Sequence, residues 1–317
     1  MVQGKRLDLN SAELTTLVYM AITTVMILVF WTRLSDPWAM LGLRGVALLA
    51  MAVTQLTYRF MPRRIAMFWR CLPLFVLLIW WYPEIHHFCS LYPYQDHVFA
   101  AIDQTLFGCQ PALEFDQHFS SALWSELFNM GYYAYFYMMA TTIVFYQLCR
   151  YSQADRAGFI FLGSFFIYYV IYEFLPVAGP QYYFLAIGTE KAASGVFPPV
   201  GYYFQTHTEM LTLEVKGVFS QLVQWAHEAG ERPTAAFPSS HVGMSTVTML
   251  LAWKAKNKWL FWLMMPLYLL LCCATVYIKA HYLIDSIAGF FTAILFFVLT
   301  NWLYKRLHPN CTANNNL

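Results

Sequence analysis

The stretch "WLFWLMMPLYLLLCCATVYI", residues 259–278, is 20 residues long and contains no charged residue. A helix of about 20 apolar residues crosses the hydrocarbon core of a bilayer, and the backbone must be helical there to satisfy its own hydrogen bonds. A second long apolar stretch follows after only two residues, at 281–304. The two stretches predict neighbouring membrane-spanning helices near the end of the chain.

The rest of the chain has the composition of an integral membrane protein. Of its 317 residues 59% are hydrophobic and only 11% are charged, whereas soluble domains carry roughly 25% charged residues. The formal net charge of +2 is too small to indicate a nucleic-acid partner. The polar start of the chain leads into an apolar stretch without a small-residue cleavage site, which predicts a retained first span.

The apolar stretches predict an all-α polytopic membrane protein with about eight transmembrane helices. Basic segments stay on the cytoplasmic side of a membrane, and most of the 19 lysines and arginines fall in cytoplasmic segments if the N-terminus is cytoplasmic. We therefore expect both termini to be cytoplasmic. The predicted spans are 14–32, 39–59, 67–83, 126–148, 157–176, 239–254, 259–278 and 281–304. The basic residues expected on the opposite side are Arg33, Arg44, Lys191, Lys216, Arg232 and Lys279.

Two long segments connect these spans on the outer side, at 84–125 and 177–238. The first contains "HVFAAIDQTLFG", which favours a short helix lying in the membrane interface. Cys89 and Cys109 fall in or beside this segment, and their spacing is compatible with a disulfide or with two free thiols.

Two stretches place ionisable side chains at the ends of predicted spans. "FPSSHVG" carries His241, and "KAHYLIDSIAG" carries His281 and Asp285. An aspartate at mid-bilayer costs roughly 2.5 to 3.5 kcal/mol on insertion scales, so such a residue indicates function. The interval between the two histidines accommodates two helices and a short turn, which predicts that both lie at the same outer face.

These side chains suit phosphoryl transfer. His281 and Asp285 are four residues apart and therefore on one side of a helix. A carboxylate that holds one imidazole nitrogen fixes the tautomer and strengthens the other nitrogen as a nucleophile. His241 can then act as a general acid, in a reaction through a phosphohistidine that uses no metal and no cofactor.

The residues around His241 suit a phosphate site. Pro238 is compatible with the first turn of a helix, Ser239 or Ser240 with its cap, and the N–H groups there can bind phosphate. We interpret the other histidines and aromatic residues near span ends as interfacial. These are His86, His87, Trp80, Trp81, Tyr132 and Tyr133.

"PSSH" and "HYLIDSIAG", separated by one span, resemble the second and third signature motifs of the phosphatidic acid phosphatase type 2 superfamily, P-S-G-H and S-R-x5-H-x3-D. The resemblance covers about residues 100–305. "IDQTLFG", "ELFNMGYYAYFYMM" and "FLPVAGPQYYF" look most similar to the branch that includes inositol phosphorylceramide synthases, which are sphingolipid inositolphosphotransferases. The resemblance implies a six-helix catalytic core, with His281 as nucleophile, Asp285 as its orienting partner and His241 as the acid.

The chain departs from these signatures at the phosphate. The signature serine and arginine fall on Ala274 and Thr275, so the arginine that clamps the phosphate is missing. Lys279 or Arg232 is expected to supply the positive charge, although lysine binds phosphate as a point charge. Gln181 stands where the first signature has a cation, and Ser240 replaces the glycine of the second. The candidate phosphate ligands are therefore Ser239, Ser240, Lys279, Arg232 and Gln181.

The resulting hypothesis is a metal-independent lipid phosphatase or lipid head-group phosphotransferase. Its substrate is a lipid phosphate or phospholipid, its acceptor is water or the hydroxyl of a second lipid, and its site faces the extracytoplasmic side, of the inner or plasma membrane if the source is bacterial. We expect N-terminal transmembrane helices at 1–83, the catalytic membrane domain at 84–306 and a cytoplasmic tail at 307–317. A transporter or proton relay that uses intramembrane His and Asp is an alternative, as is an inactive member of the family.

Overall fold

A computed structural model describes residues 9–212 and 214–309 of the chain. These residues form α-helices joined by turns and loops, and no strand occurs among them. The helices are α1 (Ser11–Val29), α2 (Pro37–Thr57), α3 (Arg63–Cys89), α4 (Asp96–Phe107), α5 (Pro111–His118), α6 (Ala122–Cys149), α7 (Tyr151–Phe174), α8 (Pro180–Ile187), α9 (Thr189–Ala193), α10 (Val218–Gly230), α11 (Ser240–Lys254), α12 (Lys258–Tyr277) and α13 (Leu283–Leu307).

A helix occurs at each of the eight predicted spans. Within the described part of the chain, six helices are long and apolar enough to cross a membrane, namely α1, α2, α3, α7, α12 and α13. α6 is long enough, with 28 residues, but less apolar, and α11 has only 15 residues. The prediction of an all-α polytopic membrane protein is confirmed.

The short helix α11 lies inside the helical bundle, where it packs against α6, α7, α12 and α13. Its buried apolar side chains include Met244, Val247 and Leu251. A Cβ atom at Gly243 would lie 2.0 Å from the hydroxyl oxygen of Tyr168, so only glycine permits this approach of α7 to α11. Because protein surrounds α11, this helix need not match the bilayer thickness as a lipid-facing span does.

The three N-terminal helices are attached to α7 partly through buried polar groups. Arg44 of α2 forms an ion pair with Glu84 of α3, and the Tyr19 hydroxyl of α1 donates to Glu173 of α7 at 2.9 Å. Arg44 is only 4% exposed, so it is a buried residue of the bundle and not part of a connecting segment. Nearer the start of α1, Glu13 pairs with Arg70 of α3.

The two long connecting segments fold over one end of the bundle. Residues 97–107 belong to α4, so the short helix predicted there is confirmed. α4 packs against α13 and α8, α5 against α12, and α10 against α6. The thiols of Cys89 and Cys109 are both free. Most of the predicted tail, residues 310–317, lies outside the described residues.

Candidate active site

His241 and His281 lie side by side where α11 and α13 begin. His241 is the second residue of α11, and His281 lies in the turn between α12 and α13. His241 Nδ1 is 3.3 Å from His281 Nε2, and the two ring planes are inclined by 64°. The fold thus brings together two side chains that are 40 residues apart in the sequence.

The backbone fixes the tautomer of His281. Its Nδ1 lies 2.8 Å from the carbonyl oxygen of Ala236, and a carbonyl can only accept, so Nδ1 carries the proton. Nε2 therefore presents its lone pair toward His241. The His281 side chain lies in a turn outside the spanning helices and is 3% exposed. This burial lowers the pKa of His281 to about 4, which keeps the imidazole neutral at pH 7.

Asp285 lies beside His281 without hydrogen-bonding to it. The distance from Asp285 Oδ2 to His281 Nδ1 is 3.7 Å, which is too long for a hydrogen bond, and Oδ2 accepts instead from the backbone N–H of Tyr282 at 2.9 Å. Asp285 Oδ1 is buried with no hydrogen-bond partner in the described part of the chain. The Ala236 carbonyl thus occupies the place that the sequence suggested for the carboxylate.

Two tyrosines of α6 pack against His241. The ring centroids of Tyr132 and Tyr135 each lie 4.6 Å from that of the imidazole, and the Tyr132 ring is stacked on it. Tyr132 is 3% exposed, so its interpretation as an interfacial residue is wrong, and the same holds for the buried Trp81. These tyrosine rings fix the plane of the His241 imidazole.

The two serines before His241 begin α11. Ser239 is the N-cap residue, and its hydroxyl oxygen accepts from the N–H of Val242 at 3.3 Å. Its own N–H donates to the carbonyl oxygen of Asp285 at 3.0 Å, which ties the start of α11 to α13. Ser240 is the first helical residue and is buried. Pro238 precedes the cap, so it does not lie in the first turn as predicted.

None of the three other candidate phosphate ligands hydrogen-bonds to either histidine within residues 9–212 and 214–309. Lys279 forms an ion pair with Asp116 of α5. Arg232 donates to the carbonyl oxygen of Glu231 at 2.8 Å. Gln181 is buried, and its side-chain oxygen has no partner in the described structure.

Two aspartates of α4, which the sequence did not single out, hold the backbone around the histidines. The Asp103 carboxylate accepts from the N–H groups of Leu283 and Ile284, at 2.8 and 3.0 Å, at the start of α13. The Asp96 carboxylate accepts from the N–H groups of Ala178 and Gly179 at 2.9 and 2.8 Å. Burial raises the pKa of each aspartate to about 6.

A sequence signal for these aspartates exists. Asp96 and Asp103 are seven residues apart, which places them on one face of a helix, and that face also carries buried Phe99 and Ala100. Acidic groups on the apolar face of an amphipathic helix need buried partners. Two such groups therefore indicate a helix that binds the protein rather than one that lies only on the membrane.

Three connecting segments form the site, at residues 175–179, 231–239 and 278–282. They contact one another through backbone hydrogen bonds. The N–H of Ala236 donates to the Val177 carbonyl oxygen at 3.0 Å, and the N–H of Gln181 donates to the Lys279 carbonyl oxygen at 2.8 Å. Gly179 has φ +98°, and a Cβ atom there would lie 2.6 Å from the Ala280 carbonyl oxygen. Only glycine therefore fits between the "PVAGPQ" segment and the turn that carries His281.

Comparison with known proteins agrees with these motifs. A family model described as the PAP2 superfamily matches residues 97–299, which is more than half of the chain and includes both histidines. No curated protein and no solved structure gives a significant match to the sequence. Among the described residues, no group of three or more His, Cys, Asp and Glu side chains is arranged to hold a metal ion.

Proposed function

The chain belongs to the PAP2 superfamily, and we propose that it is an integral membrane enzyme that moves phosphate from a lipid through a phosphohistidine on His281. The observation that carries this proposal is the imidazole pair. Nε2 of His281 has its lone pair directed at a second imidazole 3.3 Å away, because Nδ1 is bound to the Ala236 carbonyl. Because 3.3 Å is a hydrogen-bond distance, the two rings must move apart to admit a phosphate, which then meets a nucleophile on one side and a proton donor on the other.

In the first half-reaction the Nε2 lone pair of His281 attacks phosphorus and the bond from phosphorus to the leaving oxygen breaks. The leaving oxygen takes a proton from His241, whose protonated form is favoured by the bound anion. The ring of His281 becomes cationic, and this charge favours the ionised form of the Asp285 carboxyl group 3.7 Å away. Nδ1 keeps its proton and its bond to Ala236 throughout.

In the second half-reaction a hydroxyl-bearing acceptor attacks the phosphohistidine. The acceptor passes its proton to His241, the bond between nitrogen and phosphorus breaks, and both imidazoles return to their starting state. Water as acceptor gives a lipid phosphatase, and the hydroxyl of a second lipid gives a head-group phosphotransferase. The similarity of "IDQTLFG" and "FLPVAGPQYYF" to the inositol phosphorylceramide synthase branch favours transfer of an inositol-phosphate-type head group.

We further propose that the first turn of α11 holds the phosphate. Ser239 and Ser240 start this helix beside His241, and helix N-termini bind anions through their N–H groups and dipole. Lys279, Arg232 and Gln181 remain proposed ligands. If Lys279 contributes, it must exchange its ion pair with Asp116 for the phosphate, so Lys279→Ala should raise KM for the lipid.

The distribution of basic residues leads us to place the site on the extracytoplasmic side. Val196, in the connection after α9, is 52% exposed, which suits a cysteine substitution for labelling. Val196→Cys should react with a membrane-impermeant thiol reagent in intact cells. Reaction only after the membrane is opened would reverse this orientation.

The structure favours the enzyme over a proton relay. A relay needs ionisable groups that continue from His241 across the bilayer, but the buried polar side chains along α11 are Ser245, Thr246 and Thr248, with no ionisable group before Lys254. Other buried ionisable groups occur in α1, α2, α3 and α7 and have partners there: Arg44 pairs with Glu84, Arg70 pairs with Glu13, and Glu173 accepts from Tyr19.

The decisive experiment traps the phosphoenzyme. Purified protein in nanodiscs receives a lipid with labelled phosphate in the presence of a chelator, and acid-labile, base-stable label on the protein is measured. We expect label on His281 and none on His281→Gln, whereas His241→Gln should slow turnover by about 10²- to 10⁴-fold, the usual contribution of a general acid.

His86→Gln is the matched control, because His86 lies in α3 and should keep both label and turnover. Full turnover by His281→Gln, or a strict need for a divalent metal, would refute the mechanism. Absence of label and of turnover with every lipid phosphate and phosphodiester supplied would favour the inactive family member. Release of free phosphate or of a new phospholipid then separates hydrolysis from transfer.

A further inference from the structure

A cavity of about 630 Å³ lies between α12 and α13 beneath α5. Its walls include Cys272 and Val276 of α12 and Leu283, Ile287 and Phe290 of α13. Pockets of about 300 to 1,000 Å³ are typical of small-molecule sites. The cavity is thus large enough for a ligand, and the mechanism proposed above does not use it.

The interior of this cavity is apolar and its rim is polar. Of the residues that line it, only Glu114, His118 and Ser286 carry polar side chains. Glu114 and His118 belong to α5, which covers the cavity at the end of the bundle where the histidines lie. The Ser286 hydroxyl is bonded to the Thr275 hydroxyl at 2.9 Å, so its polar group is already satisfied. A water-soluble phosphate ester would find no hydrogen-bond partner in the interior.

The cavity lies next to the candidate active site. Its lining contains Val242, which follows His241, and Ser286, which follows Asp285. From Leu283 to Phe291, the farthest lining residue on α13, the helix rises about 12 Å. Phe291 is 64% exposed, so the cavity opens sideways at the surface of α13, toward the lipid phase in a membrane. An amphiphile can therefore enter from the bilayer with its head at the histidines.

We propose that this cavity seats a hydrocarbon chain of the phosphate-bearing lipid, which enters between α12 and α13 under α5. The proposal rests on the proposed function, since it assigns the phosphate of the same molecule to the histidine pair. It makes the chain a specificity determinant: affinity should rise about fourfold with each methylene that the cavity buries. The affinity should not increase further once the hydrocarbon chain is longer than the cavity.

The test is photocrosslinking in nanodiscs with an alkyl phosphate that carries a diazirine at the end of its chain. We expect crosslinks on residues 272–291, competed by decyl phosphate at a concentration at least tenfold below that needed with butyl phosphate. Decanol, which has the chain but no phosphate, should compete at least tenfold less well than decyl phosphate.

Two substitutions fill the cavity from opposite walls. Ile287→Trp and Cys273→Phe should each abolish the crosslink and reduce kcat/KM for decyl phosphate at least tenfold, with butyl phosphate unaffected. Leu295→Trp is the matched control, because Leu295 lies two turns further along α13, is 60% exposed and does not line the cavity. It should behave as the wild type in both assays.

The outcomes separate this inference from the proposed function. Crosslinks on other helices, equal competition by decanol, or wild-type kinetics for both cavity-filling variants would overturn the chain site even if the enzyme is active. Crosslinks in the cavity that alkyl phosphates compete for, without any phosphoenzyme or turnover, would keep the chain site and refute the catalytic proposal.

Discussion

The tautomer of His281 is set by a backbone carbonyl rather than by the carboxylate next to it, and the proposed reaction depends on that tautomer. The Ala236 oxygen fixes the proton on Nδ1, while the Asp285 carboxyl group is close enough to respond to charge on the ring but not to orient it by a hydrogen bond. We therefore expect Asp285→Asn to retain the tautomer and to lose mainly the stabilisation of the cationic intermediate.

The pH dependence of phosphoenzyme formation tests the state of His281. With a phosphodiester lipid, whose own charge is constant, the rate should fall at high pH, where His241 loses the proton that it donates to the leaving oxygen, and should hold its plateau down to about pH 6. Below that pH it should decline in two stages, because Asp96 and Asp103 protonate near pH 6 and His281, with its pKa lowered by burial to about 4, loses its lone pair only near pH 4. If the rate instead fell in one step centred at pH 6.5, and did so in Asp103→Asn as well, the pKa of His281 would not be lowered by burial.

Asp103 is expected to act as a positioning residue. Asp103→Ala removes the acceptor of the part-buried N–H groups of Leu283 and Ile284, and an N–H group left unpaired away from water costs about 1 to 3 kcal/mol. Because these groups start α13 just after His281, kcat should fall tenfold or more with little change in KM, and Asp103→Asn, which keeps one acceptor oxygen, should recover part of it. Thermal unfolding and steady-state kinetics measure the two effects.

The control for Asp103 is Asp36→Ala. Asp36 caps α2 by accepting from the N–H of Ala39 at 3.0 Å, far along the chain from the histidines. It should lower the melting temperature without lowering kcat. Equal loss of kcat in both variants would mean that Asp103 acts only through overall stability.

At the scale of helices, the approach of α13 to the start of α11 sets the distance between the two histidines. A Cβ atom at Gly289 would lie 2.4 Å from the Ser239 carbonyl oxygen, so Gly289→Ala must push the two helices apart. We expect kcat to fall at least tenfold, because displacements of about 1 Å in a site can cost 10²-fold. Gly42→Ala in α2, where a Cβ atom meets nothing within 4 Å, should retain full activity.

Helix positions were predictable because a bilayer leaves few alternatives. Each long apolar run had to become a helix, and the interval between His241 and His281 then placed both at one end of the bundle. The partners of these residues were not predictable in the same way. Ala236 acts through its carbonyl oxygen, which no pattern of side chains reveals. Tyr132 lies near the end of a predicted span, where tyrosine is common at the membrane interface, so the sequence alone does not indicate its contact with His241.

At the scale of the whole molecule, buried polar groups join α1, α2 and α3 to one another and to α7: Arg44 pairs with Glu84, and Tyr19 donates to Glu173. Arg44 and Glu84 are separated by 40 residues. Each occurs in or directly after a different apolar stretch, so the sequence pattern does not indicate that the two side chains pair. One side-chain oxygen of Glu173 is buried in the same region, and it has no hydrogen-bond partner among the residues that the structure describes. Removing one member of a buried ion pair costs about 3 to 5 kcal/mol, whereas replacing both by apolar residues is often neutral.

Arg44→Met should therefore lower the melting temperature sharply, and the double variant Arg44→Met/Glu84→Met should recover most of the loss. Thermal unfolding in detergent measures both. Glu214→Gln, which breaks the exposed ion pair between Glu214 and Lys216, serves as control and should change little. A double variant as unstable as the single one would show that the pair is needed for more than charge balance.

The backbone contacts among the three connecting segments have a consequence for how such a site changes over time. Main-chain hydrogen bonds keep the segments of the site in place, and they involve Ala236, Val177, Gln181 and Lys279. Main-chain atoms are present whatever the side chains are. Side chains that face the lipid head group can therefore be exchanged without disturbing the bond-making histidines. Under the proposed function, a chain with threonine where the resembling signature has its phosphate-clamping arginine, as here at Thr275, can keep the reaction and act on a different substrate.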